Sequence, residues 1–232
     1  MIGILGGMGT QAGLDFCNKI TKLNKGKIDQ QYPMFILYNK SNVPKRSQNK
    51  NKYLKVLKSL ILGCQLLKKN KCKFIAIPCN TAHYWYEDLQ KKIKIPILNM
   101  PREVYQYAKK NCKKNAKIGV LATETTIKTN IYSKFFKKSF QLIYPSKSIQ
   151  IKNVNRCIKF VKMGRIKDAE KAIKPAVQYL IKNKCKKIIL GCTELPIAIF
   201  AYKSFKKIKI SKIFLDPNYI LAKVSIKKYQ NI

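Results

Sequence analysis

Short apolar runs alternate with longer amphipathic stretches along this chain. The runs at 2–5, 34–38, 74–78 and 118–122 are four or five residues long and are bounded by turn-forming residues. Apolar runs of this length are typical of strands buried in a parallel sheet. The stretch 53–70 instead places its apolar residues at helical spacing. This alternation predicts an α/β fold with right-handed crossovers.

The pattern predicts further elements at both ends of the chain. Gly6–Thr10 is a glycine-rich turn that opens a helix from about Gln11 to Asn24. Such a turn can bring backbone N–H groups to an anion, and a tight turn that binds nothing explains it equally well. Residues 95–100 are predicted as a strand before a helix that begins at Pro101. Residues 212–215 are predicted as a last strand before a C-terminal helix.

One stretch occurs twice, and it organises the rest of the chain. Residues 66–81 and 179–194 align at a shift of 113 positions, with eight of sixteen residues identical. Each copy has the end of a polar helix, a basic turn, an apolar run and then a cysteine, Cys79 or Cys192. The cysteine therefore sits at the carboxyl end of a predicted strand, where open α/β sheets bind their ligands.

The repeat extends back to the first strand of each copy. Ile118-Gly119-Val120-Leu121 matches Ile2-Gly3-Ile4-Leu5, at a similar distance from the cysteine. We therefore expect two duplicated lobes, each a parallel sheet flanked by helices, related by a pseudo-twofold axis. The expected boundaries are 1–98 plus 210–232 for the first lobe and 99–209 for the second, with the active site in the cleft between them.

The net charge of +39 invites a nucleic-acid or membrane interpretation, which the residue types disfavour. Only four of the 49 basic residues are arginine, and the lysines are scattered over every predicted helix and turn. Lysine is the weaker residue for bidentate phosphate or base recognition. We therefore expect a solvated basic surface, no specific nucleic-acid partner and no membrane partner.

The eight cysteines show neither a CxxC pair nor a zinc spacing, so we expect free thiols and no metal. The apolar runs are too short for a signal peptide or a transmembrane helix, which favours a reducing cytoplasm. Two acid/base groups on opposite faces of one carbon can invert a stereocentre. We assign that role to Cys79 and Cys192, and we interpret the other six cysteines as packing residues.

Several motifs together resemble the aspartate racemases of the cofactor-independent aspartate/glutamate racemase family. They occur in the family's order over nearly the whole chain. The matching stretches are GILGGMGT at 3–10, VPKRS at 43–47, PCNTAH at 78–83, PILNM at 96–100, GVLATETT at 119–126, VKMG at 161–164, GCTELP at 191–196 and LDP at 215–217.

The resemblance implies interconversion of L- and D-aspartate without pyridoxal phosphate or any other cofactor. One cysteine thiolate removes the α-proton and the other thiol returns a proton to the opposite face. The resemblance also implies a homodimer. The substrate-binding residues that it implies are Met8, Arg46, Asn80, Thr81, Lys162 and Thr193, with Arg46 and Lys162 on the distal carboxylate.

Three further residues are candidates for supporting the thiols, namely His83, Glu194 and Thr123. The sequence also departs from the family, because Lys45 stands where an aspartate usually precedes the arginine. Lysine at this position adds positive charge and removes an ion pair that would orient Arg46. A glutamate or broad-specificity racemase, and an inactive lysine-rich relative that binds polyanions, remain open as alternatives.

Overall fold

The computed structural model describes residues 1–46, 50–201 and 212–231. The chain divides into two compact units, Met1–Glu103 with Asn218–Ile232, and Val104–Pro217. Ser47, the last residue of the VPKRS stretch, and the predicted lobe boundary at 209 and 210 both lie outside the described residues.

The first unit contains a parallel sheet whose described strands run in the order β2-β1-β3. Its strands are β1 (Ile2–Gly6), β2 (Phe35–Asn39) and β3 (Phe74–Ala76). Helices α1 (Thr10–Asn24) and α2 (Lys50–Lys69) connect the strands, as a parallel sheet requires. Helices α3 (Tyr86–Lys92) and the start of α4 (Met100–Asn111) follow β3, and short 3₁₀ helices lie at Asp29–Gln31 and Thr81–Trp85.

The second unit contains a parallel sheet whose described strands run in the order β5-β4-β6-β7. Its strands are β4 (Lys117–Ala122), β5 (Gln141–Ile143), β6 (Lys187–Gly191) and β7 (Phe214–Leu215). Its helices are α5 (Glu124–Lys128), α6 (Ser133–Phe136), α7 (Lys147–Ile149), a π-helical segment (Gln150–Asn155), α8 (Arg156–Lys162), α9 (Ile166–Lys182) and α10 (Leu195–Phe200). The C-terminal helix α11 (Pro217–Gln230) belongs almost entirely to the first unit.

Two parallel sheets flanked by helices confirm the predicted α/β fold class. Each unit has its own buried apolar cluster, built on residues from Leu5 to Ile97 in the first and from Leu121 to Phe214 in the second. A parallel sheet covered by helices on its faces explains why its strands read as continuous apolar runs.

The predicted strand at 95–100 is wrong over most of its length. Only Ile97 makes a parallel bridge, to Ile75, and Met100 already begins helix α4. Pro96 has no N–H group, so this segment cannot form a regular ladder on both sides of that residue. An isolated bridge next to β3 is what remains.

The final strand, β7, lies in the second unit and not in the first lobe, where it is predicted from the sequence. Residues 210–232 are predicted to join the first lobe, yet Phe214 and Leu215 of β7 pair with Ile188 and Ile189 of β6. A two-residue apolar strand carries no sequence signal for the sheet that it joins. The chain therefore leaves the second unit at Pro217, where α11 begins.

The repeat is visible in the pairing register inside each unit. Ile4 pairs with Ala76 in the first sheet, and Val120 pairs with Ile189 in the second. Cys79 lies three residues after Ala76, and Cys192 lies three residues after Ile189. The two cysteines therefore occupy equivalent places in their own units. The duplicated sequence has thus kept its strand register.

The basic turn before each cysteine strand is a helix end with the same geometry in both copies. Lys71 and Lys184 have φ angles of 60° and 62°, in the left-handed region. The next residue, Cys72 or Cys185, donates its backbone N–H to a carbonyl in the last turn of the helix, at 3.2 and 3.1 Å. Such a bond to a late helical carbonyl is a regular way to end a helix.

Candidate active site

Cys79 lies just beyond β3, in a buried turn. Pro78 cannot donate to a sheet ladder, and the Cys79 N–H bonds back to the Ile77 carbonyl at 2.7 Å. The side chain is 5% exposed, and the next two residues, Asn80 and Thr81, are also buried. The structure therefore brings three of the predicted site residues together at the carboxyl end of this strand.

His83 supports the backbone of this turn. Its Nδ1 lies 2.9 Å from the Cys79 carbonyl oxygen and its Nε2 lies 3.2 Å from the Leu98 carbonyl oxygen. Burial lowers the pKa of the imidazole, and the two carbonyl partners oppose that change. A neutral imidazole donates from only one nitrogen, so one of these two contacts is a hydrogen bond to a carbonyl and the other faces a lone pair.

Cys192 directly follows β6, and its thiol is paired with a carboxylate. Cys192 Sγ donates to Glu194 Oε2 at 2.9 Å, and both residues are buried together with Thr193. Glu194 comes just before the first residue of α10. The structure thus places Glu194, one of the residues predicted to support a thiol, beside Cys192.

Burial raises the pKa of the Cys192 thiol well above its ordinary value, and the Glu194 carboxylate raises it further. Lys162, at the end of α8, opposes this effect, with its Nζ 3.8 Å from Glu194 Oε1. That oxygen has no hydrogen-bond partner among the described residues. In the second unit, a protonated thiol thus contacts a carboxylate, and an ammonium group lies on the other side of that carboxylate.

Arg46 and the glycine-rich turn meet within the first unit. An Arg46 guanidinium nitrogen donates to the Met8 carbonyl oxygen at 3.1 Å. Gly7 has a φ of 87°, and a Cβ atom there would lie 2.2 Å from the carbonyl carbon of Lys40. The turn therefore needs glycine for packing against the loop that carries Arg46, which is the packing explanation for this motif.

Thr123 caps the short helix α5, so its place has a structural explanation. Its hydroxyl accepts the Thr126 N–H at 3.2 Å and donates to the Thr126 hydroxyl at 2.9 Å. The Ala122 carbonyl, at the end of β4, accepts from Gln150 at 2.9 Å. Sequence reasoning missed Gln150, because it lies in a π-helical segment that no periodic pattern marks.

Tyr132 is another residue that sequence reasoning missed, and its pKa is affected by Cys192. It is fully buried, and burial raises its pKa well above the ordinary value, with Asp216 and Cys192 adding to the effect. Asp216, from the LDP stretch, is buried as well. Tyr132 and Asp216 lie far apart in the sequence, so only the fold brings the Asp216 charge close enough to affect Tyr132.

None of the six remaining cysteines follows the carboxyl end of a strand. Burial raises the pKa of Cys64 and Cys157 to about 12 in each case. All eight cysteines fall in the described residues, and none of them forms a disulfide. In the same residues no group of three or more His, Cys, Asp or Glu side chains is arranged to hold a metal ion.

Helix length and polarity also bear on the membrane question. Over residues 1–46, 50–201 and 212–231, the structure has no helix that is long and apolar enough to cross a membrane.

Each cysteine site therefore offers proton-transfer chemistry in a water-poor setting. The first presents a thiol among amide, hydroxyl and imidazole groups, and the second presents a thiol hydrogen-bonded to a carboxylate. Buried thiols flanked by polar donors can exchange protons with a weak carbon acid if the carbanion is stabilised electrostatically.

Comparison with known proteins assigns the family. The sequence profile described as Asp/Glu/Hydantoin racemase matches residues 5–224. The broad specificity amino-acid racemase RacX of Bacillus subtilis is 30% identical over 233 residues, covering 99% of this chain and 98% of RacX. A glutamate racemase of Carboxydothermus hydrogenoformans is 26% identical over 84% of this chain and 69% of its own length.

The solved structures agree with the sequence relatives. The aspartate racemase of Picrophilus torridus superposes with a TM-score of 0.84 at 27% identity, covering 99% of this chain and 94% of that one. An aspartate racemase homologue from Pyrococcus horikoshii has a TM-score of 0.78 at 24% identity and supports the fold. The chain therefore belongs to the Asp/Glu/hydantoin racemase family and is an amino-acid racemase of that family.

Proposed function

We propose that this protein interconverts L- and D-aspartate by a two-thiol mechanism that uses no pyridoxal phosphate. Cys79 and Cys192 are the two acid/base groups, and each addresses one face of the α-carbon. One thiolate takes the α-proton, the C–H electron pair stays on the substrate as a carbanion, and the other thiol gives its proton to the opposite face. The reverse reaction exchanges the two roles.

The observation that carries this proposal is the bond between Cys192 Sγ and Glu194 Oε2, at the position equivalent to that of Cys79. A thiol that donates to a carboxylate is held in its protonated form, which is the form a proton donor needs. Cys192 therefore starts as the acid when Cys79 acts as the base. A packing cysteine does not require a buried carboxylate beside it, because burying that charge is costly.

The carbanion needs stabilisation, because an α-proton is much less acidic than a thiol. Asn80, Thr81 and Thr193 follow the two cysteines and carry amide or hydroxyl donors suited to the substrate's α-carboxylate. Backbone N–H groups of the glycine-rich turn, including Met8, add further donors. Fixed donors of this kind stabilise developing charge without reorganisation during the reaction.

Aspartate is the preferred substrate in this proposal because of Arg46. Its guanidinium group is anchored on the Met8 carbonyl, beside the turn that the resemblance assigns to substrate binding. A guanidinium fork is well matched to a carboxylate. Lys162 contributes a second positive charge near Cys192 and Glu194, and it is the other candidate for the distal carboxylate.

Broad specificity is the second candidate, because RacX covers almost the full length of this chain at 30% identity. The two possibilities differ in their dependence on a distal carboxylate. An aspartate racemase turns over alanine poorly, whereas a broad-specificity enzyme turns over both amino acids at similar rates.

The deciding experiment is proton exchange in deuterated buffer without added cofactor. We expect both L- and D-aspartate to incorporate deuterium at the α-carbon and to approach an equal mixture of enantiomers. Mass spectrometry with chiral chromatography measures both quantities. Absence of exchange with aspartate, glutamate and alanine would overturn the proposal.

The substrate assignment has its own variant, Arg46→Ala. A hydrogen bond to a charged group is worth about 1.5–3 kcal/mol, so kcat/KM for aspartate should fall about 10- to 100-fold. Turnover of alanine should change much less. Arg102→Ala, at an exposed arginine of the same unit, is the matched control and should leave both substrates unaffected. Equal loss for aspartate and alanine contradicts the role of Arg46.

A further inference from the structure

A cavity of about 320 Å³ lies on the surface of the second unit, between the π-helical segment, α8 and α9. Its wall includes Arg156 and Phe160 from α8, Lys171 from α9 and Arg165 from the turn between them. Lys152 of the π-helical segment completes the basic rim. None of these residues belongs to the cysteine sites or to their predicted partners.

The two arginines of this cavity share one aromatic ring. The guanidinium carbon of Arg156 lies 5.2 Å from the centroid of Phe160, and that of Arg165 lies 4.6 Å from it. Stacking on an aromatic face positions a guanidinium group while its N–H donors stay available. Arg165 is held further by Asp168, whose carboxylate contacts its Nε and one Nη nitrogen, each at 2.7 Å, so that the other Nη group faces a ligand. The side chains are therefore oriented before any ligand arrives.

The residue types at this cavity differ from the general basic surface. Only four arginines occur among 49 basic residues, yet two of the four basic side chains here are arginine. Four cations and one carboxylate give the cavity a net charge of +3. A solvated surface needs only lysine, which this chain uses almost everywhere else. Arginine is the residue that binds planar or multidentate oxyanions through its fork of donors.

We propose that this cavity binds a small molecule carrying two or more phosphate groups. Arg156 binds phosphate oxygens in a bidentate manner, Arg165 binds them through the end of its guanidinium group that Asp168 does not contact, and Lys152 and Lys171 balance the remaining charge. A single carboxylate does not match a charge of +3 divided over two separate arginine forks. The volume lies at the lower end of the range for small-molecule sites, which suits a short phosphate chain or a nucleotide.

The test is calorimetric titration of the full chain at about 0.15 M KCl, where surface charges are screened beyond about 8 Å. The probes are tripolyphosphate, ATP, inorganic phosphate and succinate. We expect saturable 1:1 binding of tripolyphosphate or ATP, weaker binding of inorganic phosphate, and none of succinate. Tripolyphosphate and ATP binding with equal affinity identifies the phosphate chain as the ligand, and tighter binding of ATP identifies a nucleotide.

The decisive variant is the double substitution Arg156→Lys and Arg165→Lys, which keeps the charge and removes the forks. We expect affinity to fall at least about tenfold, because bidentate geometry is lost while the field is unchanged. Lys171→Glu, which reverses one charge at the rim, should weaken binding as well. Lys68→Gln with Lys69→Gln, at two exposed lysines of the first unit, is the control and should bind normally.

Three results would overturn the proposal. They are no saturable binding of any phosphate probe at millimolar concentration, full binding by the lysine double variant, or equal weakening by the Lys68 and Lys69 control. The last two outcomes identify non-specific attraction of anions to a basic surface. Circular dichroism of each variant establishes that the fold is retained. Because the readout is binding, the result is independent of racemase activity.

Discussion

The two cysteine segments have the same backbone plan and different chemistry around the thiol. Each begins at a helix end with a left-handed lysine, Lys71 or Lys184, and continues into a strand with the same pairing register. Even the asparagine before the lysine repeats its contact, since Asn70 and Asn183 each donate to a carbonyl four residues earlier. The part of the repeat that precedes the cysteine is therefore structural.

The copies diverge at the cysteine itself. Pro78 ends the first strand early, and Thr81 occupies the place that Glu194 has in the second copy. His83, which contacts the Cys79 carbonyl, corresponds to Pro196. Only Cys192 therefore has a neighbouring carboxylate at this equivalent position. Duplication supplied two similar thiol positions, and later substitutions gave each thiol its own proton environment.

Replacing each of the two thiols should give the largest effect and tests whether both cysteines act as acid/base groups. Cys79→Ser and Cys192→Ser should each reduce racemisation by at least about 10³-fold, because serine is a much weaker acid and base at neutral pH. Each variant should still exchange the α-proton of one enantiomer in deuterated water, and the two should prefer opposite enantiomers. Chiral chromatography with mass spectrometry measures both rates.

The matched controls are Cys72→Ser and Cys185→Ser, which change buried cysteines at the opposite ends of the same strands. These variants should keep their activity and lose stability by about 1–3 kcal/mol, since a hydroxyl is buried in an apolar site. Urea unfolding measures the loss. Full racemase activity in Cys79→Ser, or inactivity of a folded Cys72→Ser, contradicts the two-thiol mechanism.

Removing the carboxylate makes the two thiol sites more alike. Glu194→Gln should lower the pKa of Cys192, because the negative charge that raises it is gone while burial remains. The Cys192 thiolate should then form at lower pH than in the unmodified protein. Alkylation of Cys192 at a series of pH values, measured by peptide mass spectrometry, monitors this change. Racemisation should fall about 10- to 100-fold through loss of the positioned acid.

Glu124→Gln, at an exposed glutamate of the same unit, is the control for this change and should leave the alkylation profile where it was. An unchanged profile in Glu194→Gln would mean that the carboxylate does not control the Cys192 proton.

His83 gives the smallest effect and probes the first copy alone. It is the only histidine, so its imidazole resonances are unambiguous in NMR. We expect its pKa to lie below the ordinary value of about 6.5, because burial disfavours the imidazolium. Unfolding exposes this ring and raises its pKa, so the unfolded state binds more protons and stability falls as the pH drops below about 6.5.

His83→Gln should lose that part of the pH dependence in urea unfolding. A pKa raised above about 6.5 in the NMR titration would show that the two carbonyl contacts outweigh burial. His83 would then carry a positive charge beside Cys79 near neutral pH, and the two thiol environments would differ by two charged groups.

Short-range patterns in the sequence were enough for most elements of the fold. Apolar runs of four or five residues marked the buried strands, because burial on both faces of a parallel sheet leaves a distinct signal. Helical spacing of apolar residues marked α2. The prediction of a strand at 95–100 was wrong because an apolar run alone does not ensure a ladder. Pro96 lacks a backbone N–H donor, and only Ile97 makes a bridge. β5 and the π-helical segment went unrecognised because neither carries a periodic pattern.

The sequence by itself determined the fold class, the duplication and the two cysteine positions, since each depends on residue order and spacing. The tertiary structure decided what surrounds those cysteines. The bond from Cys192 to Glu194 is local, but the approach of Lys162, Tyr132 and Asp216 joins residues that are far apart in the chain. The same holds for β7, whose choice of sheet depends on packing. Electrostatic environment is a property of distance in space, and only the folded chain fixes those distances.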